Sequence, residues 1–298
     1  MQHRIGVLHG QEETFPPALI QEINARQSGF QAESASIGGI WPSLEPDYAV
    51  LVDRISQRVP FYRSYLKQQA LLGTHCVHDP YWLECVDRSV MGQLAAAAGV
   101  EALPAVVLPS KDHPPGVTSE DLSNLVYPLP WEEILELVSL PARLRPLGLG
   151  LSPTTRVTCL GDLWQGYASG GDQLVVLEAV PEAQASLLCL QAGEQSAVMG
   201  HHGMVDEPAV AEMAARFCEL ADLPLVGLEF ARYQGRYVLS DLQLFPSLDW
   251  WSLSEQAFSR VVGSFADYVL ELARRPHAPR YPGIKSASAK PAKSGRKP

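Results

Sequence analysis

Residues 227–250 read GLEFARYQGRYVLSDLQLFPSLDW, and the reading of the whole chain turns on them. Two runs rich in apolar and aromatic residues, 228–233 and 236–242, flank Gln234-Gly235. That residue pair suits a tight turn, so the stretch predicts a β-hairpin. With Gln234, Gly235 and Arg236 in the loop, Tyr233 pairs with Tyr237, Ala231 with Leu239 and Glu229 with Asp241. Side chains alternate faces along a strand, so Gln243 shares a face with Asp241 and Glu229. Two carboxylates directly opposite each other repel. A divalent cation between them removes the repulsion, and hard oxygen ligands of this kind suit magnesium. The alternative is a surface hairpin with two solvated acids, and a one-residue slip of register would send one acid to the other face.

Around this hairpin the chain has 298 residues, enough for two domains or one large one with a sizeable core. It is 46% hydrophobic and 19% charged, which reads as soluble and globular. The formal charge of −10 argues against a nucleic-acid protein, because phosphate backbones call for a basic face. Lysine is confined to Lys67, Lys111 and a tail carrying Lys285, Lys290, Lys293 and Lys297. That tail, KSASAKPAKSGRKP, has no large apolar residue and is expected to be disordered and solubilising. No apolar run approaches the roughly 20 residues that span a bilayer. The first ten residues, MQHRIGVLHG, run straight into a strand pattern without a signal-peptide core. The 5 cysteines form an odd set without a CxxC pair, which suits reduced thiols and a cytoplasmic setting.

From the start, strands at 4–8, 31–37, 48–52 and 74–77 alternate with helices at 15–26, 59–72 and 83–98. This alternation predicts a parallel sheet with helices on its faces, and such sheets place ligands beyond the carboxyl ends of their strands. His9, Arg54 and His78 stand at those ends and are weak candidates for substrate contact. A strand at 105–108, a proline-rich loop, a helix at 131–138, strands at 142–144, 157–159 and 174–178 and a helix at 162–168 predict a small α+β subdomain. Strands at 186–190 and 197–200 and a helix at 208–221 lead into the hairpin, and an amphipathic helix at 254–274 closes the fold.

Other constellations carry less. In His75-Cys76-Val77-His78-Asp79 the two histidines face opposite sides of a strand, so strand-end packing or a substrate contact for His78 is favoured over a metal. His201-His202 sits between glycines and reads as a turn. No GxSxG elbow anchors a serine triad. Gly170-Gly171 is a connector, and Trp250-Trp251 reads as a hydrophobic corner before the last helix.

Taken in order, an α/β domain, a helix ending in Gly and Pro, a small α+β lid and a hairpin with acid, acid and amide resemble the ATP-grasp superfamily, with glutathione-synthetase-like ATP-binding domains among its members. The resemblance implies an α/β plus α+β fold: a Rossmann-like domain at 1–104, a lid subdomain at 105–180, a second ATP-grasp subdomain at 181–282 and the basic tail at 283–298. It implies ATP and Mg2+ as cofactors. Arg88, before AAAAGVEALPAVVLP, and Arg145, in PARLRP, take the places of the family's phosphate-binding basic residues, with Arg145 also the catalytic candidate. Glu178 and Val180, at the end of LVVLEAV, take the adenine places. Glu229, Asp241 and Gln243 take the metal places, although the family's usual Glu-x-Asn is Asp-Leu-Gln here. Two guanidiniums suit phosphates through paired, charge-assisted hydrogen bonds.

The implied activity is a MgATP-dependent carboxylate–amine or carboxylate–thiol ligase working through an acyl phosphate, with small-molecule substrates, no membrane partner and a homodimer left open. An inositol-phosphate-type kinase is a second enzymatic reading, without an obvious basic cradle to support it. The different-class alternative is an inactive nucleotide- or metabolite-binding relative. It is motivated by a phosphate loop with only Gly148 and Gly150, followed by Ser152 and by Pro153, which lacks an amide donor. No clear ribose glutamate follows Glu178, where Glu182 and Gln184 lie outside any motif, and Leu188 falls where relatives often carry a phosphate-facing arginine.

Overall fold

The computed structural model describes residues 4–280 apart from 44, 114, 119, 150–152, 183–185, 202, 249–252 and 279. Gly150 and Ser152 of the expected phosphate loop, Gln184, His202, Trp250, Trp251 and the basic tail lie outside the described residues. The chain falls into two compact units, the first within Met1–Glu84, Ala192–Gln195 and Ser247–Pro298, the second within Cys85–Gln191 and Ser196–Pro246.

The first unit opens with Arg4–Leu8 (β1), Phe15–Ala25 (α1), Gln31–Ser34 (β2), Val50–Asp53 (β3), Pro60–Leu72 (α2), His75–Val77 (β4) and Pro80–Leu83 (α3). The strands pair in the order β2-β1-β3-β4, all parallel, as the alternation of strand and helix requires. The central strand β3 is buried on both faces, which explains its apolar run. Proline at the first turn starts α1 and α2, and Gly73 ends α2 in the left-handed conformation at φ 102°.

The helix expected over 83–98 is in fact two. The Asp79 carboxylate accepts the amides of Tyr81 and Trp82 to start α3, and Asp87 accepts the Val90 amide to start Arg88–Ala97 (α4). Each aspartate satisfies donors that a continuous helix would have used, so it punctuates the chain.

The second unit continues with Ala105–Leu108 (β5), Trp131–Val138 (α5), Ala142–Pro146 (β6), Thr155–Val157 (β7), Leu160–Ser169 (α6) and Val175–Ala179 (β8). The strand expected at 157–159 lies two residues earlier, because Cys159 is already the N-cap of α6. These strands form an antiparallel sheet in the order β5-β8-β6-β7. One face carries Leu108, Ala142, Leu144, Val157, Leu177 and Ala179 into a core with Ile134 and Val138 of α5 and Leu163 and Tyr167 of α6. Burying each such leucine contributes about 1.5–3 kcal/mol. The other face carries Val107 and Val176 beside the charged Arg143, Arg145 and Glu178.

Next come Ser186–Ala192 (β9), Gln195–Gly200 (β10), Gly203–Met204 (β11), Pro208–Ala221 (α7), Leu225–Tyr233 (β12) and Arg236–Gln243 (β13), with a five-stranded sheet ordered β11-β10-β9-β12-β13. Glu255–Arg274 (α8) returns to the first unit, where Phe265 meets Phe15 of α1 at 6.0 Å between ring centroids. No helix among the described residues is long and apolar enough to cross a membrane.

Candidate functional site

The hairpin exists, with a different turn. Gln234 and Gly235 alone form the loop, both at positive φ (50° and 78°), so Tyr233 pairs with Arg236 and Ala231 with Val238. A two-residue turn of this hand matches the twist of the strands better than the expected three-residue loop. A bulge between Glu229 and Phe230 then shifts the register by one, and Glu229 still lies opposite Asp241. Ser240, the extra residue, donates its hydroxyl to the Glu229 carbonyl at 3.0 Å. At Leu239 the strand also bonds outward, its amide to the Glu101 carbonyl at 2.8 Å and its carbonyl to the Leu103 amide at 3.0 Å.

Asp241 is buried and holds two arginines. Arg88, the first residue of α4, grips it with both terminal nitrogens at 2.9 and 3.1 Å. Arg145 of β6 reaches the same carboxylate at 2.6 Å and Glu178 of β8 at 3.1 Å. Arg143, two residues before Arg145 and so on the same face, lies directly opposite Glu178, with Nε 2.6 Å from its carboxylate. That contact is an ion pair between the two side chains. The result is a ladder of alternating charge: Arg88, Asp241, Arg145, Glu178, Arg143. Burial alone would lower the Arg145 pKa, but Glu178 and Asp241 more than offset it and hold the group above its ordinary value.

Beside the ladder, the Gln243 amide donates to Glu229 at 2.5 Å. Gly227 faces Gln243 across the hairpin, and a Cβ there would come within 3.3 Å of the Gln243 Cβ and 3.2 Å of Leu188. Glu229, Asp241 and Gln243 offer two carboxylates and an amide oxygen, a hard donor set that fits magnesium. Asp241, however, already gives its oxygens to Arg88, Arg145 and the Leu242 amide at 2.8 Å, which fills its capacity as an acceptor. Among the described residues no group of three or more His, Cys, Asp and Glu side chains is arranged to hold a metal.

Val180 follows β8 directly and is half-buried. A cavity of about 1010 Å³ is bounded by Gln93 of α4, Val107, Val176, Tyr233 and Val238, and reaches the ladder at Arg88. Arg145, Glu178 and Val180 do not line it.

In the first unit, His9, Arg54 and His78 follow β1, β3 and β4 and so stand together at the carboxyl edge of the parallel sheet. Their environments differ. Arg54 is buried in a two-point pair with Glu12, at 3.0 and 2.8 Å. His78 is buried as well. His9 is partly exposed, shares a 3.0 Å hydrogen bond with Ser34, and lines a cavity of about 730 Å³ with Glu12 and Glu13. His75 packs against His277 at 4.8 Å between ring centroids, a structural contact within this unit.

Arg143 was not among the residues singled out in the sequence. Its signal was present in PARLRP, where the two arginines two apart must share one face of a strand.

Solved structures align with nearly the whole chain. An ATP-grasp protein with a RimK domain from Sphaerobacter thermophilus covers 90% of this chain and 99% of its own at a TM-score of 0.66 and 18% identity. The chain adopts the ATP-grasp fold. The macrocyclase MdnC of Microcystis aeruginosa, solved with its precursor peptide MdnA, matches 90% of this chain and 99% of its own at a TM-score of 0.63 and 10% identity. The D-alanine–D-alanine ligase of Bacillus anthracis, solved with ATP, matches 92% and 97% at a TM-score of 0.59 and 12% identity. No protein-family model and no curated protein matches the chain. Identities this low carry the ATP-grasp fold, and the roles of single residues rest on geometry.

Proposed function

We propose that this ATP-grasp chain is an ATP-dependent ligase that joins a carboxylate to an amine or thiol. The observation that carries the reading is the buried ladder in which Arg88 and Arg145 share Asp241 beside Glu229 and Gln243. Arginines held by carboxylates are preset to take phosphate oxygens in the same two-point geometry. Arg88 and Arg145 would bind the phosphates, which frees Asp241 to join Glu229 and Gln243 around magnesium. Glu178 and Val180 would meet the adenine, Glu178 keeping Arg145 in place. When bound, MgATP supplies the phosphoryl group that turns a substrate carboxylate into an acyl phosphate, and an amine or thiol then displaces the phosphate. Arg145 would spread the charge that develops during that transfer. The N-terminal parallel sheet is read as the Rossmann-like domain of 1–104 that takes the acceptor near His9, with Arg54 and His78 behind it. The lid of 105–180 and the subdomain of 181–282 would close on the nucleotide. Two of the neighbours named above are a macrocyclase and a ligase by their own descriptions, which supports ligation over phosphorylation of a hydroxyl.

A second reading is an inactive nucleotide-binding relative, favoured by an Asp241 already saturated by arginine and backbone donors. Calorimetric titration of ATP with and without magnesium, on wild type and on Asp241→Asn, tests both. The ligase reading expects binding that magnesium strengthens in wild type and strengthens far less in the variant, and ADP release from wild type when one amino acid or peptide is added. Binding without ADP release across such a screen leaves the second reading standing. No binding by wild type at millimolar ATP refutes both.

A further inference from the structure

The face of the β5-β8-β6-β7 sheet opposite its core carries more positive charge than the ladder uses. The register aligns Arg156 of β7 opposite Arg143 of β6, and Arg143 opposite Glu178 of β8. Residues directly opposite in an antiparallel pair share a face. Thr155 and Val157, the neighbours of Arg156 on β7, lie opposite Leu144 and Ala142, whose side chains enter the core on the other face. Arg156 therefore stands on the open face with Arg143, Arg145 and Glu178. Two like charges in directly opposed positions destabilise a sheet.

Neither arginine is fully compensated. Glu178 is shared between Arg143 and Arg145, so one carboxylate answers two guanidiniums. Arg156 is exposed and forms no ion pair among the described residues. Glu178 is the only acid in the cross-sheet row formed by Arg156, Arg143, Glu178 and Ala105. We propose that Arg143 and Arg156 form an oxyanion-binding subsite, separate from the Arg88–Arg145 pair, that takes a phosphate or carboxylate group. An oxyanion between two guanidiniums converts the cross-strand repulsion into two charge-assisted contacts. The subsite stands on sheet register and does not require the ligase reading. Its two sources are a phosphate of the nucleotide or an acidic group of the acceptor.

The probe is inorganic phosphate, titrated calorimetrically at low ionic strength into wild type, Arg156→Gln and Arg143→Gln, with and without saturating MgATP. Wild type is expected to bind phosphate at millimolar concentration and the Arg156→Gln variant roughly tenfold more weakly, as loss of a charge-assisted contact requires. Thermal melts supply a second readout. Phosphate should raise the Tm of wild type and leave that of Arg156→Gln nearly unchanged. Without phosphate the variant should melt no lower than wild type, because a like-charge pair has been removed. If MgATP abolishes the Arg156-dependent phosphate binding, the nucleotide supplies the oxyanion. If phosphate still binds beside MgATP, the acceptor does. Where ATP itself fails to bind, Arg156-dependent phosphate binding upholds the subsite while the ligase reading falls. Phosphate affinity and Tm shift that are the same in wild type and Arg156→Gln overturn the proposal, as does the absence of phosphate binding to wild type up to tens of millimolar.

Discussion

Replacing Asp241 by Ala is the most informative single perturbation. The side chains of Arg88 and Asp241 are 2% and 6% exposed, so little water can replace the lost carboxylate. Arg145 would keep Glu178 at 3.1 Å, but Arg88 would lose the group that both its terminal nitrogens grip and keep the Pro146 carbonyl, 3.3 Å from Nε. Leaving one member of a buried pair uncompensated costs about 3–5 kcal/mol, a large share of the ~5–15 kcal/mol that holds a typical domain. Removing both charges is a different perturbation, because replacement of a buried pair by apolar groups of similar size is often neutral. The double variant Arg88→Met, Asp241→Leu should therefore be more stable than Asp241→Ala by roughly 2 kcal/mol or more. Urea unfolding followed by tryptophan fluorescence checks this through the midpoint at constant slope. A loss below about 1 kcal/mol in Asp241→Ala, or a double variant no better than the single, would refute the claim that Asp241 is the counterion of a buried Arg88.

Two further outcomes follow from local geometry. Gln234 and Gly235 both have positive φ, so Gly235→Ala should cost about 1 kcal/mol and Gln234→Gly should be neutral or slightly stabilising, each read from the same unfolding midpoint. Burial, and secondarily the neighbouring His277, lower the pKa of His75 below its ordinary value. The folded state thus favours the neutral ring, and the unfolded chain binds more protons. The contribution of His75 is full above about pH 6.5 and is lost as pH falls from there toward the folded pKa. His75→Gln should flatten that part of the stability–pH curve, and identical slopes in the two proteins would sink the assignment.

Much of the hairpin was legible because period-two alternation around Gln234-Gly235 is a local signal. The route to the right acid pair was nevertheless wrong in detail. The loop is one residue shorter than expected, and the bulge at Ser240 restores the register, so two one-residue differences cancel at Glu229 and Asp241. The bulge was not legible because it sits where Leu239 bonds outward to Glu101 and Leu103, more than 130 residues away in sequence. The α3–α4 break was within reach, since Asp79-Pro80 and Asp87 are both helix-start signals, but the apolar spacing across 83–98 masked it. Arg88, Arg145, Glu178 and Asp241 were singled out one by one. That they neutralise each other depends on four separate elements converging, which composition and spacing do not encode.

This mutual neutralisation bears on how ligands would enter the proposed site. An anion arriving alone must displace Asp241 from Arg88 and Arg145, leaving a buried carboxylate unmatched. A divalent cation arriving alone must displace the same arginines and leave two buried cations unmatched. Arriving together, each supplies the counterion that the other removes. Nucleotide and magnesium should therefore bind with positive coupling, and linkage requires the factor to be the same in both directions, typically about 5–150-fold. In Asp241→Asn the displaced group carries no charge, so the coupling should shrink even where binding of ATP alone improves. Coupling that is unchanged in Asp241→Asn would mean that the ladder is a structural salt-bridge network and that the nucleotide, if bound, is held elsewhere on the ATP-grasp fold.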